Sequence, residues 1–90
     1  MMLGVKVNDY IASTCKVSGL FVSDGDVVNC GDDLFSVESQ KMSTVIKANF
    51  EGKLISVNLV KGDDLVEGAF VLTVDGNVIE QSEDIVVEQI

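Results

Sequence analysis

The hydrophobic and polar positions of the chain form a pattern that repeats after 37 residues. At this offset Gly25-Asp26 aligns with Gly62-Asp63, and Gly31 aligns with Gly68. Apolar positions keep the same register, in the pairs Val22 with Leu59, Val28 with Leu65, Leu34 with Val71, Phe35 with Leu72, and Val37 with Val74. Turn and strand positions therefore repeat together, which indicates two copies of one supersecondary unit.

Each copy predicts the same order of elements. A strand through residues 17–23, or 54–60, is followed by a Gly-Asp turn and then by a second strand through residues 34–37, or 71–74. Asp75-Gly76-Asn77 has the composition of a turn, and the offset then predicts the equivalent turn at Glu38-Ser39-Gln40. Lys41 is expected at or beside the tip of that turn.

The match extends backward, because residues 5–11 lie opposite residues 42–48, so the two copies are predicted at about 5–37 and 42–74. Two copies of a mostly β unit can bury their apolar faces only against each other. The predicted fold is all-β, a flattened β-barrel or sandwich of two sheets with internal quasi-two-fold symmetry. We expect one domain over residues 1–76 and an acidic extension or linker over 77–90. The sequence leaves open whether this last segment is an added strand, a short helix or the start of a linker.

Composition supports this fold and excludes several functions. Sixteen valines and six isoleucines favour pleated surfaces. Six lysines, no arginine and a net charge of −9 argue against a nucleic-acid partner. The chain has no histidine, the commonest general base and metal ligand, so we predict no catalytic residue, no metal site and no self-sufficient enzyme.

Targeting and redox signals are also weak. No apolar run approaches the roughly 20 residues of a membrane-spanning helix, and the first residues do not follow the order of a signal peptide. We therefore expect a protein of the cytoplasm, or of the mitochondrial matrix in a eukaryote, with no membrane partner. Cys15 and Cys30 are interpreted as small buried apolar residues rather than as a disulfide or metal ligands.

Lys41 is a position where the two copies differ, since the offset places it opposite Val78. A lysine at a hairpin tip is open to another enzyme, although most turn lysines are simply solvated. The segment Val37-Glu38-Ser39-Gln40-Lys41-Met42 resembles the attachment hairpin of the biotinyl/lipoyl domain family. The resemblance covers about 70 residues: Gly25-Asp26, Val28, Gly31 and Leu34 precede the lysine as in that family, Ile46, Ala48 and a turn at Gly52 follow it, and Gly62-Asp63, Leu65 and Gly68 repeat the first stretch.

The resemblance implies a carrier rather than an enzyme. Lys41 would bear an amide-linked cofactor on a long arm that swings between the active sites of partner enzymes. Glu38, Ser39, Gln40 and Met42 would form the hairpin that a lipoyl or biotin protein ligase recognises. The flattened barrel of that family agrees with the architecture inferred from the repeat.

The residues beside Lys41 leave the cofactor open between lipoate and biotin. Met42 favours biotin, whereas Gln40 departs from both patterns, and Ser43 and Phe50 occur in lipoyl sequences. We predict a lipoyl carrier that shuttles acyl groups in a 2-oxo acid dehydrogenase-type complex. The alternative is a biotin carboxyl carrier for a biotin-dependent carboxylase or decarboxylase. A third reading is an unmodified barrel-sandwich interaction module, because Asn49 stands where both groups usually carry proline.

Overall fold

A computed structural model describes residues 1–90, and its regular structure is almost entirely β. The elements are β1 (Met2–Val7), α1 (Asp9–Ala12), β2 (Lys16–Leu20), β3 (Val27–Val28), β4 (Asp33–Glu38), β5 (Ser43–Lys47), β6 (Phe50–Val57), β7 (Phe70–Val78) and β8 (Ile85–Gln89). They form a five-stranded sheet in the order β3-β6-β7-β1-β8 and a three-stranded sheet in the order β2-β4-β5. All strand pairings are antiparallel and the two sheets do not close into a barrel, so the predicted all-β sandwich is confirmed.

The two copies have the same strand pairing. Under the offset of 37 residues, the pairing of β2 with β4 maps onto that of β6 with β7, and a register shift occurs at the same place in both. The equivalent pairs are Lys16↔Glu38 and Lys53↔Asp75, Val17↔Val37 and Leu54↔Val74, Gly19↔Ser36 and Ser56↔Thr73, and Leu20↔Phe35 and Val57↔Leu72. The repeat in the sequence is therefore a repeat in three dimensions.

Each copy closes its Gly-Asp turn with the same side-chain hydrogen bond. The Asp26 carboxylate accepts a hydrogen bond from the Ser23 N–H at 2.9 Å, and the Asp63 carboxylate accepts one from the Val60 N–H at 3.0 Å. Aspartate is suited to these turns because its short side chain reaches the backbone N–H three residues earlier.

The same turns hold the two copies to each other. Gly25 N–H donates to the Leu54 carbonyl at 2.8 Å, and Gly62 N–H donates to the Val17 carbonyl at 2.7 Å. Gly25 and Gly62 have φ angles of 87° and 97°, a region that glycine enters without steric cost. The turn of the first copy thus donates to β6, and the turn of the second copy donates to β2. Because β2 and β6 are equivalent strands, this exchange is what quasi-two-fold symmetry requires.

The backward extension of the repeat is wrong by four residues. The structure makes β1 equivalent to β5 at an offset of 41, since Met2↔Asp75 corresponds to Ser43↔Glu38 and Lys6↔Phe70 to Lys47↔Asp33. The connection from β1 to β2 contains α1 and is longer by those four residues. Ungapped comparison cannot register such an insertion.

The turn predicted at Asp75-Gly76-Asn77 is also wrong, because these residues lie inside β7. Strand β6 begins at Phe50, early enough to pair Gly52 with Gly76. A Cβ atom built on Gly76 would overlap the Glu51 carbonyl oxygen. Glycine at 76 therefore permits a close approach of two strands rather than a turn, and Gly52 likewise lies in a strand.

The core is one cluster of 21 buried apolar residues that both sheets share. Its largest fully buried side chains are Phe35, Phe50, Ile11, Leu34, Ile46, Leu54, Leu72 and Ile85. Ile85 belongs to β8, so the segment after residue 76 contributes to the core through a strand, one of the forms that the sequence leaves open. The domain division at residue 76 itself stays a prediction.

The two cysteines differ in their surroundings. Both are free thiols, and Cys15 is buried as predicted. Cys30 is only half-buried, so its prediction is wrong, and its Sγ lies 3.6 Å from a Glu80 carboxylate oxygen. Desolvation and the Glu80 charge raise the pKa of the Cys30 thiol. None of the helical structure has the length and apolarity that a membrane crossing requires.

Candidate functional site

Lys41 lies in the four-residue connection, Ser39 to Met42, that joins β4 to β5. The Ser39 N–H donates to the Met42 carbonyl at 2.8 Å and closes the hairpin around Gln40 and Lys41. Neither Gln40 nor Lys41 has a positive φ angle. Glu38 is the last residue of β4, so the turn predicted at residues 38–40 exists but lies one residue further along, and Lys41 lies within it.

The Ser39 side chain fixes the conformation of this loop. Its hydroxyl oxygen accepts hydrogen bonds from the Lys41 N–H and the Met42 N–H, each at 3.2 Å. Serine forms such local side-chain bonds to the backbone of turns. The backbone of Lys41 is therefore held on both sides of its Cα atom while its side chain extends outward.

The strands on either side hold the hairpin to the core. Val37 in β4 and Ile46 in β5 are fully buried, and Met42 is half-buried and packs against the core cluster. Burying such side chains stabilises a protein by roughly 1.5–3 kcal/mol each relative to exposure. The loop is thus short, anchored and presented by a rigid scaffold.

The Lys41 ammonium group has no partner in the protein. Three lysines form ion pairs, namely Lys6 with Glu88, Lys16 with Asp64 and Lys47 with Asp33. Lys41 is exposed and forms neither an ion pair nor a side-chain hydrogen bond. Lys53 and Lys61 are also exposed and without ion pairs, but Lys53 lies within β6 and Lys61 lies in the long connection over residues 58–69 between β6 and β7.

The other residues predicted for the site lie together beside Lys41. Glu38 and Gln40 are exposed, whereas Ser39 and Met42 are half-buried. Glu38 forms no ion pair. Ser39 orders the loop and Met42 anchors it, so only the Glu38 and Gln40 side chains are largely free to contact another protein.

Thr14 is a residue of this region that the sequence did not indicate. It follows α1 and, with Ser39, Gln40, Lys41 and Met42, lines an open depression at the hairpin tip. α1 belongs to the four-residue insertion relative to the second copy. A gapped comparison of the two copies is the signal that would have identified it.

Asn49 lies at the opposite end of β5 from the lysine hairpin. It is 6% exposed, and its side-chain amide donates to the Glu80 carbonyl at 2.9 Å. The backbone carbonyl of Asn49 accepts hydrogen bonds from the Ile79 N–H and the Glu80 N–H. Asparagine at a position where proline is usual therefore ties the segment after β7 to the β5–β6 connection, which gives it a structural role in this chain.

The hairpin offers one kind of chemistry. An exposed primary amine can attack an activated carboxyl group and form an amide, provided that another protein supplies the activated acid. No enclosed cavity surrounds Lys41, so the reacting groups must come from an enzyme that binds the hairpin. The amine and its rigid support fit the covalent attachment of a carboxylic acid.

Comparison with known protein families agrees with this geometry. Residues 5–74 match the family model described as "Biotin-requiring enzyme". The match runs from β1 into β7, includes the whole lysine hairpin and leaves out β8. No curated protein matches the chain.

Proposed function

Because the chain belongs to the biotinyl/lipoyl attachment family, we propose that Lys41 is its attachment residue and that the domain is a swinging-arm carrier. Domains of this family hold lipoate or biotin covalently, are modified by a ligase and serve partner enzymes. The observation that carries the proposal is the Lys41 amine, exposed and unpaired at the tip of the β4–β5 hairpin. Lys53 and Lys61 lack that setting.

The protein itself supplies position and not chemistry. Lipoate supplies a disulfide that can be acylated and reduced, and biotin supplies a ureido nitrogen that can be carboxylated. The hairpin holds the attachment point away from the sheets, and tethering raises the effective concentration of a bound group at each partner site. Ser39 and Met42 keep the loop in one conformation for the ligase and for those partners.

We favour lipoate as the cofactor. Met42 is the residue that favours biotin, but it is half-buried against the core, which accounts for a large apolar side chain there without any ligase. Gln40 is exposed, and a ligase that grips the hairpin meets it directly. Its amide is not the methionine that biotin-bearing hairpins typically place before the lysine.

Under this proposal the domain shuttles acyl groups in a 2-oxo acid dehydrogenase-type complex, in the cytoplasm or in the matrix of a mitochondrion. The second candidate is a biotin carboxyl carrier, which Met42 favours as a sequence match. Both candidates need the same lysine and differ in the ligase that acts on it.

Intact mass spectrometry after incubation with a lipoate ligase, a biotin ligase or neither tests the proposal. We expect one lipoyl-sized adduct, complete loss of that adduct in Lys41→Ala and Lys41→Arg, and an unchanged adduct in Lys61→Ala. Lys61 is the matched control because it is also exposed and unpaired. A biotin-sized adduct would select the second candidate, and an adduct that survives in both Lys41 variants, or none in the wild type, would refute attachment at Lys41.

The residue before the lysine provides a second arm of the same experiment. Gln40→Met is expected to raise the rate of biotinylation relative to lipoylation, and Gln40→Asp to lower it, by on the order of tenfold, the discrimination that one side-chain contact provides. Glu67→Gln, an exposed change outside the hairpin, is the control. If neither Gln40 variant changes the preference, the ligase recognises a wider surface of the domain.

A further inference from the structure

Strand β8 leaves an edge of the five-stranded sheet unpaired. It pairs with β1 alone, and the family match ends before it. The Ile90 N–H donates to the Met2 carbonyl, and the Asn8 N–H donates to the Asp84 carbonyl. Hydrogen-bonded and non-hydrogen-bonded pairs alternate along an antiparallel ladder. The even-numbered residues of β8 therefore bond to β1, and Ile85, Val87 and Gln89 direct their backbone groups outward.

This edge has few of the features that usually protect a sheet from pairing with another chain. Residues 85–90 contain three β-branched residues in succession, no proline, no lysine and one charged residue, Glu88, which forms an ion pair with Lys6. The pairing of β8 with β1 has no register shift, although each of the four longest other pairings has one. Val86 is 43% exposed and Ile90 is 63% exposed on the outer side of this strand. The edge is regular, apolar and open.

We propose that this edge pairs with β8 of a second copy of the chain, antiparallel about a two-fold axis at Val87. Val87 then faces Val87 of the second copy, and Ile85 faces Gln89 in both directions. All three residues with outward backbone groups are used, so both strands contribute their free N–H and carbonyl groups symmetrically. The result is one continuous sheet of ten strands across the dimer.

Several registers would place the outward backbone groups of one β8 opposite those of the other. Side-chain charge favours the proposed register among them. A shift by two residues in one direction places Glu88 opposite Glu88 of the second copy, and a shift in the other direction places Asp84 opposite Glu88. Like charges directly opposite each other destabilise a sheet. In the proposed register Glu88 instead faces Val86, and Asp84 faces Ile90.

On the outer face, Lys6 and Val86 of one copy then lie in one row with Glu88 of the second copy. Lys6 lies beside Val86 in the same copy and forms an ion pair with Glu88 at 2.6 Å. Val86 in turn faces Glu88 of the second copy. Each dimer has two such rows, so a charge introduced at residue 86 affects the interface at two equivalent positions.

Substitution of Val86 tests the register because a charge at this position is expected to have opposite effects on the stability of the monomer and on that of the dimer. A carboxylate at residue 86 lies beside Lys6 within one copy but opposite Glu88 of the second copy. Val86→Glu is expected to stabilise the monomer slightly and to raise the dimer dissociation constant by on the order of tenfold, and Val86→Lys is expected to do the reverse. Val66→Glu and Val66→Lys change net charge equally at an exposed residue outside every strand and serve as controls.

Sedimentation equilibrium of the chain gives the readout, at loading concentrations from about 10 µM to about 1 mM and one ionic strength of about 0.15 M. We expect a monomer–dimer equilibrium for the wild type, opposite shifts for the two Val86 variants and equal small shifts for the Val66 controls. Gln89→Pro, which removes an outward N–H but no bond to β1, is expected to weaken the dimer, whereas Gln89→Ala is not. A monomer at all concentrations, species larger than a dimer, or Val86 variants that match the Val66 controls would overturn the proposal.

Discussion

The lysine hairpin and the stretch Asp75-Gly76-Asn77 occupy equivalent places in the two copies, yet the first turns and the second continues as a strand. Residue types alone favour the opposite outcome, because the hairpin loop contains no glycine and the strand contains Asp-Gly-Asn. The difference lies in the neighbouring strand. β6 begins at Phe50 and pairs with the end of β7 as far as Val78, whereas residues 13–15, the equivalents in the first copy, follow the helical turn α1. β4 thus has no partner beyond Glu38, and the chain turns there.

The largest expected effect comes from disturbing the continuous strand of the second copy. In Gly76→Val the Cβ atom meets the Glu51 carbonyl oxygen, and backbone on both strands must move. We expect the free energy of unfolding to fall by about 3 kcal/mol or more, measured by urea denaturation. The neighbouring change Asn77→Val, at an exposed strand residue, is the control and is expected to have little effect. Equal stabilities of the two variants would show that the close approach of β6 and β7 is not required.

The repeated turns and strands were predictable because their patterns are local and periodic. The Gly-Asp turns and the alternating apolar positions follow from residues within about ten positions of one another. The turn beside Lys41 is predicted instead by the 37-residue offset to Asp75-Gly76-Asn77, a stretch that is a strand in the structure. The sandwich follows from the need of two β units to cover each other's apolar faces.

The remaining features depend on contacts between distant residues. Gly76 has the composition of a turn residue, and only its partner Gly52 reveals that it permits a close approach. The position of Thr14 beside Lys41 depends on an insertion, and the contact between Cys30 and Glu80 joins residues fifty positions apart. A pattern of single positions contains none of these pairings.

Equal effects at equivalent residues would sharpen the comparison of the two copies. Asp26→Ala and Asp63→Ala each remove a carboxylate that closes a Gly-Asp turn at about the same distance. We expect each variant to lose about 1 kcal/mol of unfolding free energy, and the double variant to lose the sum, because the two turns share no side-chain partner. Asp24 and Asp64 lie next to these turns. Asp24 accepts a hydrogen bond from the Val57 N–H, whereas Asp64 has only an exposed ion pair with Lys16 at 3.9 Å, so Asp64→Ala is the cleaner control. A large difference between the two single variants would mean that the turns are equivalent in geometry but not in energy.

Loosening the lysine hairpin is expected to have a smaller effect on the stability of the protein than on the rate at which Lys41 is modified. Ser39→Ala removes the acceptor of the Lys41 and Met42 N–H groups. Since these groups can bond to water instead, the stability loss is expected to stay below about 1 kcal/mol. Under the proposed function, the rate of covalent modification at Lys41 is expected to fall because the ligase meets a less ordered loop, and Ser39→Thr, which keeps the hydroxyl acceptor, is expected to restore it. Unchanged rates in Ser39→Ala, followed by mass spectrometry, would remove Ser39 from the positioning of the lysine.

The smallest effect concerns α1, the element that the second copy lacks. The Tyr10 hydroxyl donates to the Asp84 carboxylate at 2.7 Å and so joins α1 to the segment before β8. This hydrogen bond, together with desolvation and the charge of Asp84, raises the pKa of Tyr10 from its ordinary value of 10.0 to about 12. Because the folded state holds the phenolic proton more tightly, the resulting stabilisation is fully present below pH 10.0 and is lost as the pH rises through about 12.

Tyr10 is the only tyrosine and the chain has no tryptophan, so the phenolate absorbance reports this residue alone. In Asp84→Asn the midpoint is expected to move down toward 10.0, whereas in Glu83→Gln, which alters a weaker contribution, it is expected to move much less. Equal midpoints in the wild type and Asp84→Asn would mean that the Tyr10 hydrogen bond does not hold α1 to the segment before β8, and that the insertion is positioned by its buried residues Ile11 and Ala12 and by the hydrogen bonds that Asn8 donates to the Glu83 and Asp84 carbonyls.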